Sequence, residues 1–285
     1  MKEKIDEKIS ILLPSFNSHK TILKSINSAL NQKYKNFELL VSDNASNDGT
    51  IKILKKIKNK NIKIFYQKKN IGPEKNWEFL LNKSNSRYVI FLGSDDYFYS
   101  KNSLIDLHQK IYKTQNVCSA GSFIRFYDRK EEKEKIIIKN LSNKLDLLKK
   151  CLKGKYNFLW YGLWRKDVIL KMQKSFVKLV SSNQFQRRLS LDRAAVFFTL
   201  IDNNLGLAVI KDVFYVKRQK ITPPNSSFRL FLNIFFEFFY SFRLLQVSES
   251  KISFIKILYI ISSFWNNLAQ YIYKNIKNYI IKLLK

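Results

Sequence analysis

Two patterns of apolar residues alternate along the first hundred positions. The runs 9–13 (ISILL), 37–42 (FELLVS), 62–66 (IKIFY) and 87–92 (RYVIFL) are short, nearly continuous and rich in β-formers. That pattern fits strands covered on both faces. Between them, apolar residues recur at helical spacing: Ile22, Ile26, Ala29 and Leu30 within 20–31, then Ile51, Leu54 and Ile57 within 50–58. Pro73 opens a further helix that runs to about Asn82, because proline suits the first helical turn. Repeated strand–helix–strand units predict an α/β fold, a Rossmann-like, mostly parallel sheet flanked by helices, with right-handed crossovers.

After Lys101 the pattern loosens. Residues 103–113, 142–152 and 190–203 read as helices, and 117–127, 207–210 and 213–217 as strands. The charged run 128–135 (DRKEEKEK) reads as a solvated hairpin tip or loop. Residues 222–227 (TPPNSS) are the clearest linker signal. The expected organisation is therefore a domain over 1–221, a linker over 222–227, and a basic, amphipathic helical appendage over 228–285. In that tail, Ile255, Leu258, Ile261, Leu268 and Ile272 fall on one side of a helix. Six Lys and two Arg stand there against two Glu, and its longest uncharged stretch carries Asn266, Asn267 and Gln270. A helix lying in a membrane interface fits that pattern better than one spanning a bilayer.

Charge changes the picture more than composition does. The chain has 285 residues, 46% of them hydrophobic, so disorder is excluded by its capacity to form a core. Its 52 Lys+Arg against 22 Asp+Glu give +30, a surface that attracts polyanions: nucleic acid, anionic lipid or phosphorylated small molecules. The abundance of Lys, Asn and Ile also suggests compositional drift as a partial cause. Two cysteines, Cys118 and Cys151, make no disulfide framework and fit a reducing compartment. The opening residues lack the apolar core of a signal peptide. A cytoplasmic location is expected.

Three polar loops follow predicted strands: Pro14-Ser15-Phe16-Asn17, the segment Asp43 to Thr50, and Gly93-Ser94-Asp95-Asp96. Ligands of open α/β sheets bind at the carboxyl ends of the strands. Adjacent carboxylates there can offer hard oxygen ligands to a divalent cation, which a diphosphate requires in a dry cleft. Each loop alone also reads as an ordinary turn, with Ser46 or Asp48 as a helix N-cap. With two histidines in the chain, His19 and His108, no cluster of histidine ligands forms; His19 reads as a surface residue at a helix start. Cys118 reads as a buried apolar strand residue. Neither GxxxxGK[ST] nor GxGxxG occurs, so P-loop and dinucleotide sites lack their phosphate cradle.

In order and spacing, Pro14/Phe16/Asn17, Asp43 to Thr50, Asn70-Ile71-Gly72 and Ser94-Asp95-Asp96 resemble the blocks of family 2 glycosyltransferases of the GT-A fold. The resemblance is strong over about 8–100 and continues to about 220. There, Tyr161 to Arg165 resembles an acceptor-side segment, Leu191 to Ala194 the block with the catalytic aspartate, and Tyr215 to Arg218 the closing strand. It implies that Phe16 lies against the donor base, with Pro14, Ser15 and Asn17 nearby. Asp43 would accept the base imide N–H, and Asn70 and Gly72 would border the nucleotide. Asp95 would bind ribose or share the metal, and Asp96 would coordinate Mg or Mn. Asp192 would be the general base, with Asp202 and Asp167 as nearby alternatives. Relatives often close this domain with Arg-x-His, where this chain has Arg218-Gln219-Lys220. Arg218 and Lys220 would then contact phosphate rather than metal.

The resemblance thus implies an inverting, metal-dependent transferase. It would move a sugar from a nucleotide-sugar, UDP-sugar by default, to a glycan or lipid-linked saccharide in cell-envelope polysaccharide synthesis. The basic tail would hold it at the anionic inner face of the membrane. The rival is a non-catalytic basic protein binding nucleic acid or membrane on a decayed transferase fold. No RRM-, KH- or zinc-finger-like pattern supports specific nucleic-acid binding.

Overall fold

A computed structural model describes residues 7–114, 118–127, 133–136, 160–171, 173, 207–219, 261, 265, 268 and 269. The chain divides into two compact units. Met1–Asn140, Phe158–Lys171 and Gly206–Ile221 form the first, to which every element named below belongs. The expected linker and tail belong to the second, together with Leu141–Asn157 and Met172–Leu205. The helices expected over 142–152 and 190–203, and nearly all of the tail, lie outside the described residues. Among the described residues, no helix is long and apolar enough to cross a membrane.

The first hundred residues alternate as the apolar pattern predicts. They give β1 (Ile9–Ser15), α1 (Ile22–Leu30), β2 (Phe37–Asp43), α2 (Thr50–Leu54), β3 (Ile62–Tyr66), α3 (Pro73–Lys83) and β4 (Tyr88–Phe91). After these come β5 (Asp96–Phe98), α4 (Ser103–Thr114), β6 (Cys118–Tyr127), β7 (Lys133–Ile136), β8 (Leu163–Arg165) and β9 (Leu207–Gln219). β1, β2 and β4 are buried along almost their whole length, as their nearly continuous apolar runs predict.

Sheet order is β3-β2-β1-β4-β8-β6-β9-β5, with β7 beside β6. The first four strands are parallel. Chain order runs outward from β1 through β2 to β3, then jumps back to β4 on the other side of β1. The switch point lies between β1 and β4, where the loops leaving the two strands diverge and open a crevice.

Several expectations are corrected. The two strands expected at 207–210 and 213–217 are one strand, β9, which passes an irregular register against β6. The hairpin reading of the charged run 128–135 holds, since β7 starts at Lys133 and pairs antiparallel with β6. β5 and β8 have no counterpart in the apolar pattern. Each has three residues, too few to show a period, and each is fixed by its neighbours: β8 is antiparallel to both β4 and β6, and β5 to β9. Helix α2 ends at Leu54, short of the expected 58.

A buried polar chain crosses the amino end of the sheet. Ser10 Oγ donates to Glu38 Oε1 at 2.7 Å, and Ser84 Oγ donates to Ser10 Oγ at 2.8 Å. Ser86 Oγ lies 2.7 Å from Ser10 Oγ, and Lys8 Nζ donates to Glu38 Oε2 at 2.9 Å. Burial works to raise the Glu38 pKa, but the bonds from Ser10 and Lys8 outweigh it and hold it below the ordinary 4.5. Glu38→Ala takes away the acceptor of a buried hydroxyl, so it is expected to cost about 1–3 kcal/mol. A lower urea midpoint at unchanged m-value would register that loss. The folded chain holds the Glu38 proton less tightly than the unfolded chain does. Its contribution is therefore complete above the ordinary value and fades as pH falls through the folded pKa. The gap between parent and variant should narrow on acidification.

Candidate active site

Three loops meet at the carboxyl ends of β1, β2 and β4. The first is fixed by Asn17, a non-glycine residue in the left-handed region at φ 49°. Its backbone N–H donates to Ser46 Oγ at 2.8 Å, and its Oδ1 accepts the Asn47 N–H at 3.0 Å. Ser18 N–H donates to Thr50 Oγ1 at 2.8 Å, and Ser18 Oγ lies 2.7 Å from Ser94 Oγ. Ser25, on α1, donates its hydroxyl to Ser94 O at 2.9 Å. Short polar side chains thus lace all three loops, which positions them without filling the crevice with bulk.

Phe16 stands out from this lacing, 47% exposed. Asp43 is the opposite case. It is fully buried, and its carboxylate accepts from Ser46 N–H at 2.9 Å and Ser46 Oγ at 2.6 Å. Each carboxylate oxygen takes one bond from Ser46 and keeps a second lone pair. The next residue, Asn44, ties in the third motif: its Nδ2 donates to Asn70 Oδ1 at 3.0 Å and its Oδ1 accepts Ile71 N–H at 2.9 Å. Asn70 Oδ1 also accepts Gly72 N–H at 2.9 Å. Asn70 and Gly72 are therefore tied to the loop that follows β2.

The expected N-cap is corrected. Helix α2 begins after Gly49, whose φ of 97° suits only glycine, so neither Ser46 nor Asp48 is the cap. Ser46 is spent on Asp43. Asp48 clasps two loops: its Oδ1 accepts Thr50 N–H at 3.0 Å, and its Oδ2 lies 2.7 Å from His19 Nδ1. Burial would raise the Asp48 pKa, but hydrogen bonds from the Thr50 hydroxyl and from the His19 backbone and ring hold it well below the carboxylate range. His19 is exposed at the surface as expected, yet it also pins the first loop to the second. Sequence spacing carried no signal for that pair, because residues 19 and 48 meet only when β1 and β2 align.

Asp95 and Asp96 converge over Gly93. A Cβ at Gly93 would fall 2.6 Å from Asp96 Oδ2 and 3.0 Å from Asp95 Oδ1, so both carboxylates border one small space. Asp96 is 1% exposed, whereas Asp95 is half-buried. Among the described residues no group of three or more His, Cys, Asp or Glu side chains could enclose a metal. Two carboxylates suit Mg or Mn, which commonly take one or two protein carboxylates and complete their shell with substrate phosphates and water.

The remaining expected residues are placed as follows. Arg218 lies in β9, and Lys220, Asp192 and Asp202 lie outside the described residues. Asp167 is exposed and pairs with Arg165, Nε to Oδ1 at 3.2 Å. Arg165 aligns with Tyr88, at the amino end of β4, so Asp167 sits at the end of the sheet away from the crevice. The segment Tyr161 to Arg165 is largely core, since Leu163 and Trp164 are fully buried in β8. Trp160, just before it, stacks on Phe91 with centroids 3.9 Å apart.

Comparison with known proteins places this arrangement. Residues 10–172 match the model of the family described as glycosyl transferase family 2. A glucosyltransferase of Escherichia coli, WfaP, described as UDP-Glc:alpha-D-GlcNAc-diphosphoundecaprenol beta-1,3-glucosyltransferase, is 36% identical over 92 residues, 32% of this chain and 37% of that protein. Matched stretches span between 16% and 37% of such relatives' own lengths. The crystal structure of Staphylococcus aureus TarS 1–349 in complex with UDP-GlcNAc superposes with a TM-score of 0.64 at 18% identity, covering 91% of this chain and 72% of that one. A mannosyltransferase from Pyrobaculum calidifontis, in complex with GDP-Man and Mn2+, superposes with a TM-score of 0.59 at 11% identity, over 94% of this chain and 75% of that one. At such identities the superpositions speak for the fold alone.

Proposed function

The chain belongs to glycosyl transferase family 2 and has the GT-A fold, and from that premise we propose that it transfers a sugar from a nucleotide-sugar to a saccharide acceptor. The observation that carries this reading is the convergence of Asp95 and Asp96 over Gly93, in the loop that follows β4. The proposed donor is a UDP-sugar, in keeping with the UDP-linked substrates of WfaP and TarS. Phe16 takes the base, assisted by Pro14, Ser15 and Asn17. Asp43 anchors the turn at Ser46 and accepts the base imide N–H. Asn70 and Gly72 flank the nucleotide. Asp95 and Asp96 hold Mg or Mn, and Asp95 reaches the ribose as well. The cation, when bound, neutralises the departing diphosphate. Arg218 and Lys220 add positive charge for the phosphates. Asp192 removes the acceptor hydroxyl's proton as that oxygen attacks the anomeric carbon, so a single displacement inverts the centre.

The acceptor we propose is a glycan or lipid-linked saccharide at the inner membrane face. A chain of charge +30 is suited to phosphate-bearing acceptors and anionic lipid. Calorimetric titration with UDP, dTDP and GDP, each with Mn2+, followed by hydrolysis assays with the matching nucleotide-sugars, tests the reading. Metal-dependent binding of one nucleotide and turnover of its sugar conjugate is the expected result. Binding of oligonucleotide or anionic vesicles with no response to any nucleotide would instead favour the non-catalytic rival.

A further inference from the structure

Among the described residues, five large hydrophobic side chains are exposed: Phe16, Leu23, Tyr66, Tyr99 and Trp265. Two of them, Phe16 and Tyr66, stand at the carboxyl end of the same three strands. In register, Ser15 of β1 pairs with Asp43 of β2, and Asp43 pairs with Tyr66 of β3. The alignment persists past the strand ends: Asn44 N–H donates to Ser15 O at 2.8 Å and Gln67 N–H to Asp43 O at 2.9 Å. Residues in register on parallel strands point to one face. Tyr66 is therefore on the face of Asp43, while its neighbour Phe65 turns to the other face and meets Phe79 of α3 edge-on at 5.3 Å. β3 is an edge strand, and the Tyr66 ring is 43% exposed.

We propose that Tyr66 is an aromatic wall of the nucleobase site, standing on the face of the buried Asp43, and that it sets how tightly the base is held. The inference rests on the nucleotide-donor reading above. The register sets Tyr66 one strand spacing, about 4.8 Å, from Asp43, within reach of a base held at that carboxylate. Partial burial and the Asp43 charge both push the Tyr66 phenol above its ordinary pKa. The hydroxyl thus stays protonated at neutral pH and can donate to a base carbonyl or ribose oxygen.

The test compares parent, Tyr66→Ala, Tyr66→Phe and Phe16→Ala in the full chain. Calorimetric affinities are measured for UDP, dTDP and GDP with Mn2+, carrying forward the tightest, and for inorganic pyrophosphate with Mn2+ as a baseless control. Tyr66→Ala should weaken nucleotide binding about tenfold, as removal of one base-stacking partner does. Tyr66→Phe should stay within about threefold of the parent, because stacking carries most of the effect. Pyrophosphate affinity should not change in either. Parent-like nucleotide affinity in Tyr66→Ala, with weakening in Phe16→Ala, overturns the inference and leaves the donor reading standing. Equal losses for nucleotide and pyrophosphate also overturn it, by marking a structural role. If the parent binds none of the three nucleotides, the donor reading fails and the inference fails with it.

Discussion

Gly93→Ala is expected to lower metal-dependent sugar transfer by roughly 100-fold or more, although it neither adds nor removes a charge. The new methyl would stand 2.6 Å from Asp96 Oδ2 and 3.0 Å from Asp95 Oδ1, closer than a carbon and a carboxylate oxygen can settle. Asp96 cannot swing away easily. It is buried, and its backbone begins a strand paired with β9 at Lys217. Asp96 must shift and Asp95 must give by a few tenths of an ångström, and misplacing reactive groups by about 1 Å can cost about 100-fold in rate. Asp96→Asn should show the same loss by removing charge while keeping shape. The measurement is transfer rate as a function of Mn2+ concentration, with circular dichroism to verify the fold. Parent-like rates in both variants, at saturating metal, would remove Asp95 and Asp96 from the chemistry.

Asp192→Asn is expected to separate chemistry from binding. Asparagine matches aspartate in size but cannot take a proton from the acceptor hydroxyl, so transfer should fall by roughly 10²–10⁴-fold. Nucleotide affinity should stay at the parent value, because every proposed base and metal contact lies between Pro14 and Asp96. The rate should fall with KM for the donor unchanged, the pattern of an interaction made only in the transition state. Loss of nucleotide affinity with retained turnover would mean that the proton goes elsewhere. Asp167 is poorly placed to receive it, at the far end of the sheet, and Asp202 would be the next variant to make.

What the sequence determined by itself was local and periodic. Three buried strands, an edge strand and the helices between them were legible because strands of a parallel sheet leave nearly continuous apolar runs. Their order as strand–helix–strand repeats then implied where loops such as Pro14 to Asn17 and Gly93 to Asp96 must emerge. Tertiary structure alone decided whatever depends on residues far apart in the chain. β5 and β8 are too short to carry a period and exist because β9, β4 and β6 offer open edges. Asp43 reads in sequence as a base acceptor, and only the fold shows that its carboxylate also anchors the turn through Ser46. His19 and Asp48 meet across 29 residues, and Tyr66 comes to flank Asp43 only through the register of β2 and β3. A hydrogen bond or an aromatic wall needs its partners within a few ångströms. Composition and periodicity fix which residues are present and which face they take, whereas strand order and register bring the partners together.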